Sequence, residues 1–196
     1  MSVIKKKRIL WKPPNFHTQI MRFSLFSAFL ATVISCNGEQ LPYVTIETEK
    51  GNIIIQLYPE AAPATVANFA KLIESGFYNG VVFHRFVPGF VIQGGDPQGT
   101  GRGGPGWSIR GEFQDSDLRE KMPRHEKGVV AMARTQNPDS AGSQFYICLS
   151  SDPTRYAHLN GSYTTFGKVI EGMDVVDGLR EGDVMENVSI ENYEAE

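Results

Sequence analysis

Residues 83–96 read FHRFVPGFVIQGGD. Two apolar runs rich in Phe, Val and Ile flank Pro88-Gly89, a pair that interrupts a helix, so the stretch reads as strand, turn, strand. It is apolar enough to be buried, yet it sets Arg85 and Gln93 among three phenylalanines. No serine, cysteine or acidic side chain stands beside Arg85 to serve as a nucleophile or a general base. What remains is a cation in an oily setting with nothing to attack with.

The flanking chain repeats the strand–turn pattern. YVTIETEKGNIIIQLYP (43–59) holds two β-rich runs around Glu49-Lys50-Gly51-Asn52 and reads as a hairpin. Pro63 then opens a helix, PATVANFAKLIESG, with Val66, Phe69, Ala70 and Ile73 at i, i+3, i+4 and i+7 and Gly76 placed to end it. Asn79-Gly80 and Asn160-Gly161 read as hairpin turns. Short strands follow in VVFHRF, GFVIQG, GVVAMAR, SQFYICLS, YTTFGKVI and NVSIEN, and a second short helix falls near Met173 to Leu179. Many short strands with two helices predict a mainly β fold, a closed antiparallel barrel rather than alternating βα units.

Composition narrows the function. The 196 residues are 41% hydrophobic and 21% charged, which is globular, and no repeat or linker interrupts the chain after Cys36, so one domain is predicted over 41–196. A net charge of −3 implies no basic face and disfavours nucleic-acid partners. Cys36 and Cys148 cannot make a disulfide framework or a four-ligand zinc site, and His17, His84, His125 and His158 are scattered, so no metal is expected. Cys148 sits in an apolar strand and reads as a buried free thiol, unpaired with Cys36.

Residues 1–36 differ from the rest. KKKR (5–8) and Arg22 precede FSLFSAFLATVIS, thirteen residues without a charge. As a helix that run would reach roughly 20 Å, short of the ~30 Å hydrocarbon core, which favours an export signal over a spanning helix. Its ending VISC resembles a bacterial lipobox, which makes Cys36 the candidate for lipidation; Met21 is an alternative start.

Two motifs tempt and fail. Gly99 to Gly104 reads GTGRGG and matches G-x-G-x-x-G, but Pro105, Gly106 and Trp107 follow where a phosphate-binding helix would have to begin, so a flexible surface loop is predicted. Asp139 and Ser140 lie in a turn-forming Pro-Asp-Ser-Ala-Gly stretch next to Ser143, with no G-x-S-x-G elbow anywhere. His84 alternates with Arg85 and is predicted to be a buried, hydrogen-bonded structural histidine on the opposite side of the strand.

Taken in order, FHRFVPGFVIQGGD, GTGRGGPG, GVVAMAR, AGSQFYICLS and HLNGSYTTFGKVIEGMDVVD resemble the cyclophilin-type peptidyl-prolyl isomerases over 43–193. The resemblance implies an eight-stranded antiparallel closed β-barrel capped by two α-helices, a peptide groove on its outside, and isomerisation of X–Pro bonds without a cofactor. That reaction suits an arginine without a nucleophile, because rotation about an amide breaks no bond. By the resemblance Arg85 is the catalytic arginine, Gln93 bonds the substrate carbonyl and steadies it, and Phe90, Val91, Tyr146 and Leu159 form the proline pocket. Ala133, Arg134 and Thr135 offer backbone to the peptide, and Gln144 lines the groove. After the Pro88-Gly89 turn, strand parity alone does not place Gln93 opposite Arg85.

Three departures from the family pattern stand out. Arg134 replaces a frequent asparagine, His158 a tryptophan common in cyclosporin-sensitive members, and Tyr163 a histidine of many eukaryotic members. The last two point to a bacterial-type enzyme with weakened cyclosporin affinity. The expected partners are proline-containing peptides and unfolded clients, bound by a monomer that touches membrane only through its lipid. The expected compartment is the bacterial cell envelope on the periplasmic side, with a secreted or soluble periplasmic protein as the alternative. A non-catalytic proline-peptide scaffold and a membrane-anchored chaperone are the competing functions.

Overall fold

The structure, a computed structural model, describes residues 40–194. The candidate export segment, its lipobox-like ending and Cys36 lie outside the described residues. β1 (Tyr43–Thr48) and β2 (Gly51–Leu57) form the predicted hairpin around Glu49-Lys50, with Thr48 opposite Gly51. Alternation is strict here: Val44 and Ile46 of β1, and Ile53, Ile55 and Leu57 of β2, are fully buried between more exposed neighbours. The predicted first helix is α1 (Pro63–Glu74), which lays Val66, Phe69, Leu72 and Ile73 into the core.

The remaining elements are β3 (Val81–Val82), β4 (Arg85–Val87), β5 (Val91–Gly94), α2 (Ser116–Lys121), β6 (Val129–Met132), β7 (Phe145–Cys148), β8 (Thr165–Glu171), α3 (Met173–Gly178), β9 (Val184–Met185) and β10 (Asn187–Glu191). Eight strands pair antiparallel in the order β10-β1-β2-β8-β6-β7-β5-β4, and the sheet curls around its core. Among the described residues β4 and β10, the two end strands, do not pair with each other. The ribbon β3–β9 joins them instead, since β3 runs on into β4 and β9 into β10. The fold is thus mainly β and eight-stranded as expected, but it is a near-barrel rather than the fully closed barrel predicted, with the seam tied by a side ribbon.

Four local expectations are corrected. VVFHRF is not one strand: β3 bonds to β9 and β4 to β5, and the chain changes partner at Phe83 and His84. Neither Asn-Gly pair closes a hairpin. Gly80 and Gly161 do take the left-handed conformation (φ +80° and +73°), but Asn79-Gly80 leads from α1 into β3, and Asn160-Gly161 ends a loop between β7 and β8, which do not pair. A third helix, α2, was not anticipated, because it buries no side chain and so carries no apolar period; its signal is Asp115, whose carboxylate accepts from the N–H of Asp117 and Leu118.

The central strands are buried on both faces, so they read as continuous apolar runs. Along β7, Phe145 and Ile147 enter the inner core, whereas Tyr146 and Cys148 belong to a second cluster with Val91, Val129, Ala131, Tyr156 and Leu159. The inner core centres on Phe69, whose ring meets Tyr78, Phe145 and Phe166 at 5.0–5.4 Å. The outer cluster is the floor of the groove described next. Cys148 is free and fully buried, and burial pushes its thiol up to about 12 against a weaker opposing bond from Tyr156.

One long-range contact orders the helix that packs into the inner core. Ala62, the residue before α1, offers no side-chain cap. The buried Glu112 supplies it from a distant loop, accepting from Ala64 N–H (2.8 Å), Thr65 N–H (2.9 Å) and the Thr65 hydroxyl (2.6 Å).

Candidate active site

The β4–β5 hairpin settles the parity that the turn had left open. Arg85 stands directly opposite Gln93, and its Nη1 donates to Gln93 Oε1 at 3.3 Å. Gln93 Nε2 donates in turn to Gln144 Oε1 (2.9 Å), and Gln144 Nε2 to the Gly103 carbonyl (2.8 Å). A chain of side-chain amides therefore runs from the exposed arginine to the glycine loop and fixes which face of Gln93 meets it.

Beside Arg85 opens a groove of about 500 Å³ lined by Phe90, Val91, Gln93, Ala133, Arg134, Tyr146, His158, Leu159, Ser162 and Tyr163. Its floor is the outer cluster: Val91, Tyr146 and Leu159 are buried, while Phe90 rests stacked on Tyr156 at 5.4 Å. Tyr156 is locked from below, its hydroxyl donating to the Phe90 carbonyl (2.7 Å) and accepting from Ser150 N–H (2.7 Å). His158 also stacks on Phe90, at 6.0 Å.

An adjoining cleft of about 570 Å³ shares Gln93, Ala133 and Arg134 with the groove and adds Thr135 and Gln144. All the groove residues singled out in the sequence thus come together across two continuous depressions. Within 133–135, the Ala133 N–H is already donated to the Gln144 carbonyl (2.9 Å) and the Thr135 N–H to Ser140 Oγ (2.9 Å).

Arg134 does more than offer backbone. Its guanidinium donates to the Ser162 carbonyl from Nε (3.1 Å) and Nη2 (2.7 Å), and lies 4.4 Å over the Tyr163 ring. This side chain clamps the wall of the groove to its rim. Sequence reasoning missed Ser162 and Tyr156, whose parts depend on a carbonyl and on a hydroxyl aimed at distant backbone; a motif of side-chain types does not reveal either.

The glycine loop is not loose. Asp96 is 1% exposed, and its carboxylate accepts from the N–H groups of Gln98 (2.8 Å), Thr100 (2.9 Å), Gly101 (2.6 Å) and Gly103 (3.1 Å). A Cβ at Gly103 would sit 2.0 Å from that carboxylate. Burial alone would raise Asp96, but the bonds from Gln98, Gly103, Gly101 and Thr100 outweigh it and hold the carboxyl below the usual range. The amides that a dinucleotide motif would turn on phosphate are spent on this internal anion.

His84 corrects another expectation. Its ring nitrogens are shielded from solvent but find no hydrogen-bond partner among the described residues, and the residue is only half-buried. Burial lowers its pKa, with the charge of Asp96 partly opposing. Among the described residues no group of His, Cys, Asp and Glu is placed to hold a metal ion, and no helix is long and apolar enough to cross a membrane.

The family model for "Cyclophilin type peptidyl-prolyl cis-trans isomerase/CLD" matches residues 43–195. Peptidyl-prolyl cis-trans isomerase B of Bacillus subtilis is 49% identical over 144 residues, covering 73% of this chain and 94% of its own. A peptidyl-prolyl cis-trans isomerase of Helicobacter pylori is 44% identical, covering 74% and 85%. Among solved structures, a cyclophilin of Cryptosporidium parvum, determined in the presence of the dipeptide Ala-Pro, superposes with a TM-score of 0.65 at 31% identity, covering 76% of this chain and 98% of that one.

Proposed function

The chain belongs to the cyclophilin-type peptidyl-prolyl cis-trans isomerases, and we propose that it turns X–Pro bonds of peptides and unfolded clients in the Arg85–Gln93 groove, outside the cytoplasm. The barrier to that rotation, about 20 kcal/mol, is amide resonance. As the bond twists, the proline nitrogen becomes pyramidal and recovers its lone pair. A guanidinium aimed at that nitrogen favours the twisted state over either planar one, which is the differential binding that catalysis requires. Arginine suits the task because it stays charged and presents its donors in a rigid fork.

The observation that carries the assignment of roles is the register pair Arg85↔Gln93 at the lip of an apolar floor. Phe90, Val91, Tyr146 and Leu159 would hold the proline ring, while the Gln93–Gln144 chain keeps the Arg85 fork aimed. Ala133, Arg134 and Thr135 would receive the peptide backbone. His158 and Tyr163 would border the residues after the proline. The Ala-Pro dipeptide with the Cryptosporidium parvum protein supports an X–Pro ligand. The chemistry asks nothing of a metal or cofactor, since no bond is made or broken.

The extracytoplasmic setting rests on the sequence, through the charged flank, the apolar run 23–35 and VISC ending at Cys36. A single acyl chain holds a protein to a bilayer only marginally, whereas several chains anchor it firmly. The reading is tested by mass spectrometry of the mature N-terminus together with washed-membrane fractionation of wild type and Cys36→Ser. A lipidated Cys36 in wild type and release of the variant are expected. A mature chain that begins elsewhere, or wild type already in the soluble fraction, refutes the anchor.

A further inference from the structure

A buried polar side chain behind the groove, His125, belongs to none of the roles above. It is 2% exposed and lies between α2 and β6. Its backbone N–H, necessarily a donor, points at Asn160 Oδ1 from 2.9 Å, which identifies that atom as the carboxamide oxygen. The same oxygen faces His125 Nδ1 at 3.0 Å. An oxygen of this kind only accepts, so the proton of the neutral ring sits on Nδ1. Nε2 is then an acceptor, and the Tyr146 hydroxyl, 2.9 Å away, donates to it. Burial raises the Tyr146 phenol well above its ordinary value, which keeps that donor proton in place.

The three partners come from separate parts of the fold. Tyr146, on β7, is in the groove's floor, and Asn160 belongs to the same loop as His158 and Leu159, followed by Tyr163 of the rim. The floor and rim also touch where Tyr146 meets Tyr163 edge-on at 6.0 Å.

We propose that His125 is a positioning residue for the isomerase: the proton on Nδ1 ties the rim through Asn160, the lone pair on Nε2 ties the floor through Tyr146, and protonation of the ring undoes the second tie. A proton on Nε2 would face the Tyr146 oxygen, whose own hydrogen would then lose its acceptor in a buried site. Apart from the Asn160 oxygen, little nearby welcomes the charge. Tyr156 stacks on the ring at 6.3 Å, and His158 acts electrostatically against a positive charge on His125. Arg119 and Arg124 line the depression on the outer side of His125 together with Glu120, and Glu126 is paired with Lys168. Burial lowers the pKa of His125, the Asn160 bond opposes, and His158 lowers it further.

The inference rests on the isomerase reading, and its test separates the two. Turnover of a short X–Pro peptide is followed by exchange NMR from pH 8 to pH 5 for wild type, His125→Gln and His125→Asn, with a melting curve for each. The imidazole tautomer of wild type is read from its ¹⁵N shifts. Wild type should show Nδ1–H and a KM that rises as the pH drops below the ordinary histidine range, with kcat within about twofold. His125→Gln places an amide oxygen where Nε2 was and should keep the low KM with no pH step. His125→Asn keeps only the tie to the rim and should raise KM about fivefold at every pH, about 1 kcal/mol. A proton on Nε2, or identical KM and pH profiles in all three folded proteins, overturns the proposal. Wild type without turnover would instead count against the isomerase, and the tautomer would still decide the staple.

Discussion

Replacing Arg85 with alanine tests the chemistry most directly. The guanidinium is exposed on one side and touches Gln93 at 3.3 Å on the other, beside the apolar wall of Phe90 and Val91. Unit charges about 4 Å apart interact by about 1 kcal/mol when screened as in water and by about 4 kcal/mol at the effective dielectric of a protein surface. A recovered lone pair carries less than a unit charge, while a bound peptide excludes water from the exposed side. About 2.7 kcal/mol lies between these limits and corresponds to a loss of about a hundredfold in kcat/KM. Arg85→Lys keeps the charge but not the fork and should lose about tenfold. Gln93→Ala removes one bond of moderate length and should lose about fivefold. The assay is isomerisation of an X–Pro tetrapeptide, with circular dichroism on the same samples because Arg85 bears no core contact. A folded Arg85→Ala within about threefold of wild type would refute the transition-state role.

Three further outcomes are expected. Glu112→Ala strands two buried donors of Thr65 and the part-buried Ala64 N–H at the start of α1 and should cost about 3 kcal/mol in urea unfolding, with Glu112→Gln milder because one oxygen can still accept; an unchanged midpoint would show that α1 needs no cap. His125 and His84 both have lowered folded pKa values, so the unfolded chain takes up protons first: their contribution is whole above about pH 6.5 and is lost as pH falls below it toward the folded values. Urea midpoints should drop between pH 7.5 and pH 5, and His125→Gln should flatten that drop; equal slopes would remove His125 from the account. His158→Trp, beside Phe90, should tighten cyclosporin inhibition by about tenfold, about 1.4 kcal/mol, with peptide turnover changed much less, and equal inhibition constants would separate His158 from the inhibitor.

Much was legible in the chain because it is local. The β1–β2 hairpin follows from alternation around a tight turn, and α1 from Pro63 and a 3.6-residue apolar period. Most of the groove lining was nameable by likeness of segments, because Arg85, Phe90, Gln93 and their neighbours sit in long matching stretches, whereas Ser162 contributes through its backbone carbonyl and was not. The same local rules misjudged Asn79-Gly80 and Asn160-Gly161: a left-handed glycine specifies a turn, not what lies beyond it. They also ran VVFHRF together, since a strand carries no mark of where its hydrogen-bond partner changes.

Tertiary structure alone decided the rest, and the reason is the same in each case. The Arg85↔Gln93 register depends on how a turn closes, the capping of α1 by Glu112 on a loop 47 residues away, and the glycine loop on one buried carboxylate that collects its amides. His125 looked like a stray histidine in sequence, and only packing sets it between Tyr146 and Asn160. Periodicity and turn chemistry report what a residue does with its neighbours in the chain. A hydrogen bond across the fold is fixed by the approach of two segments, and the chain does not record that approach at either position.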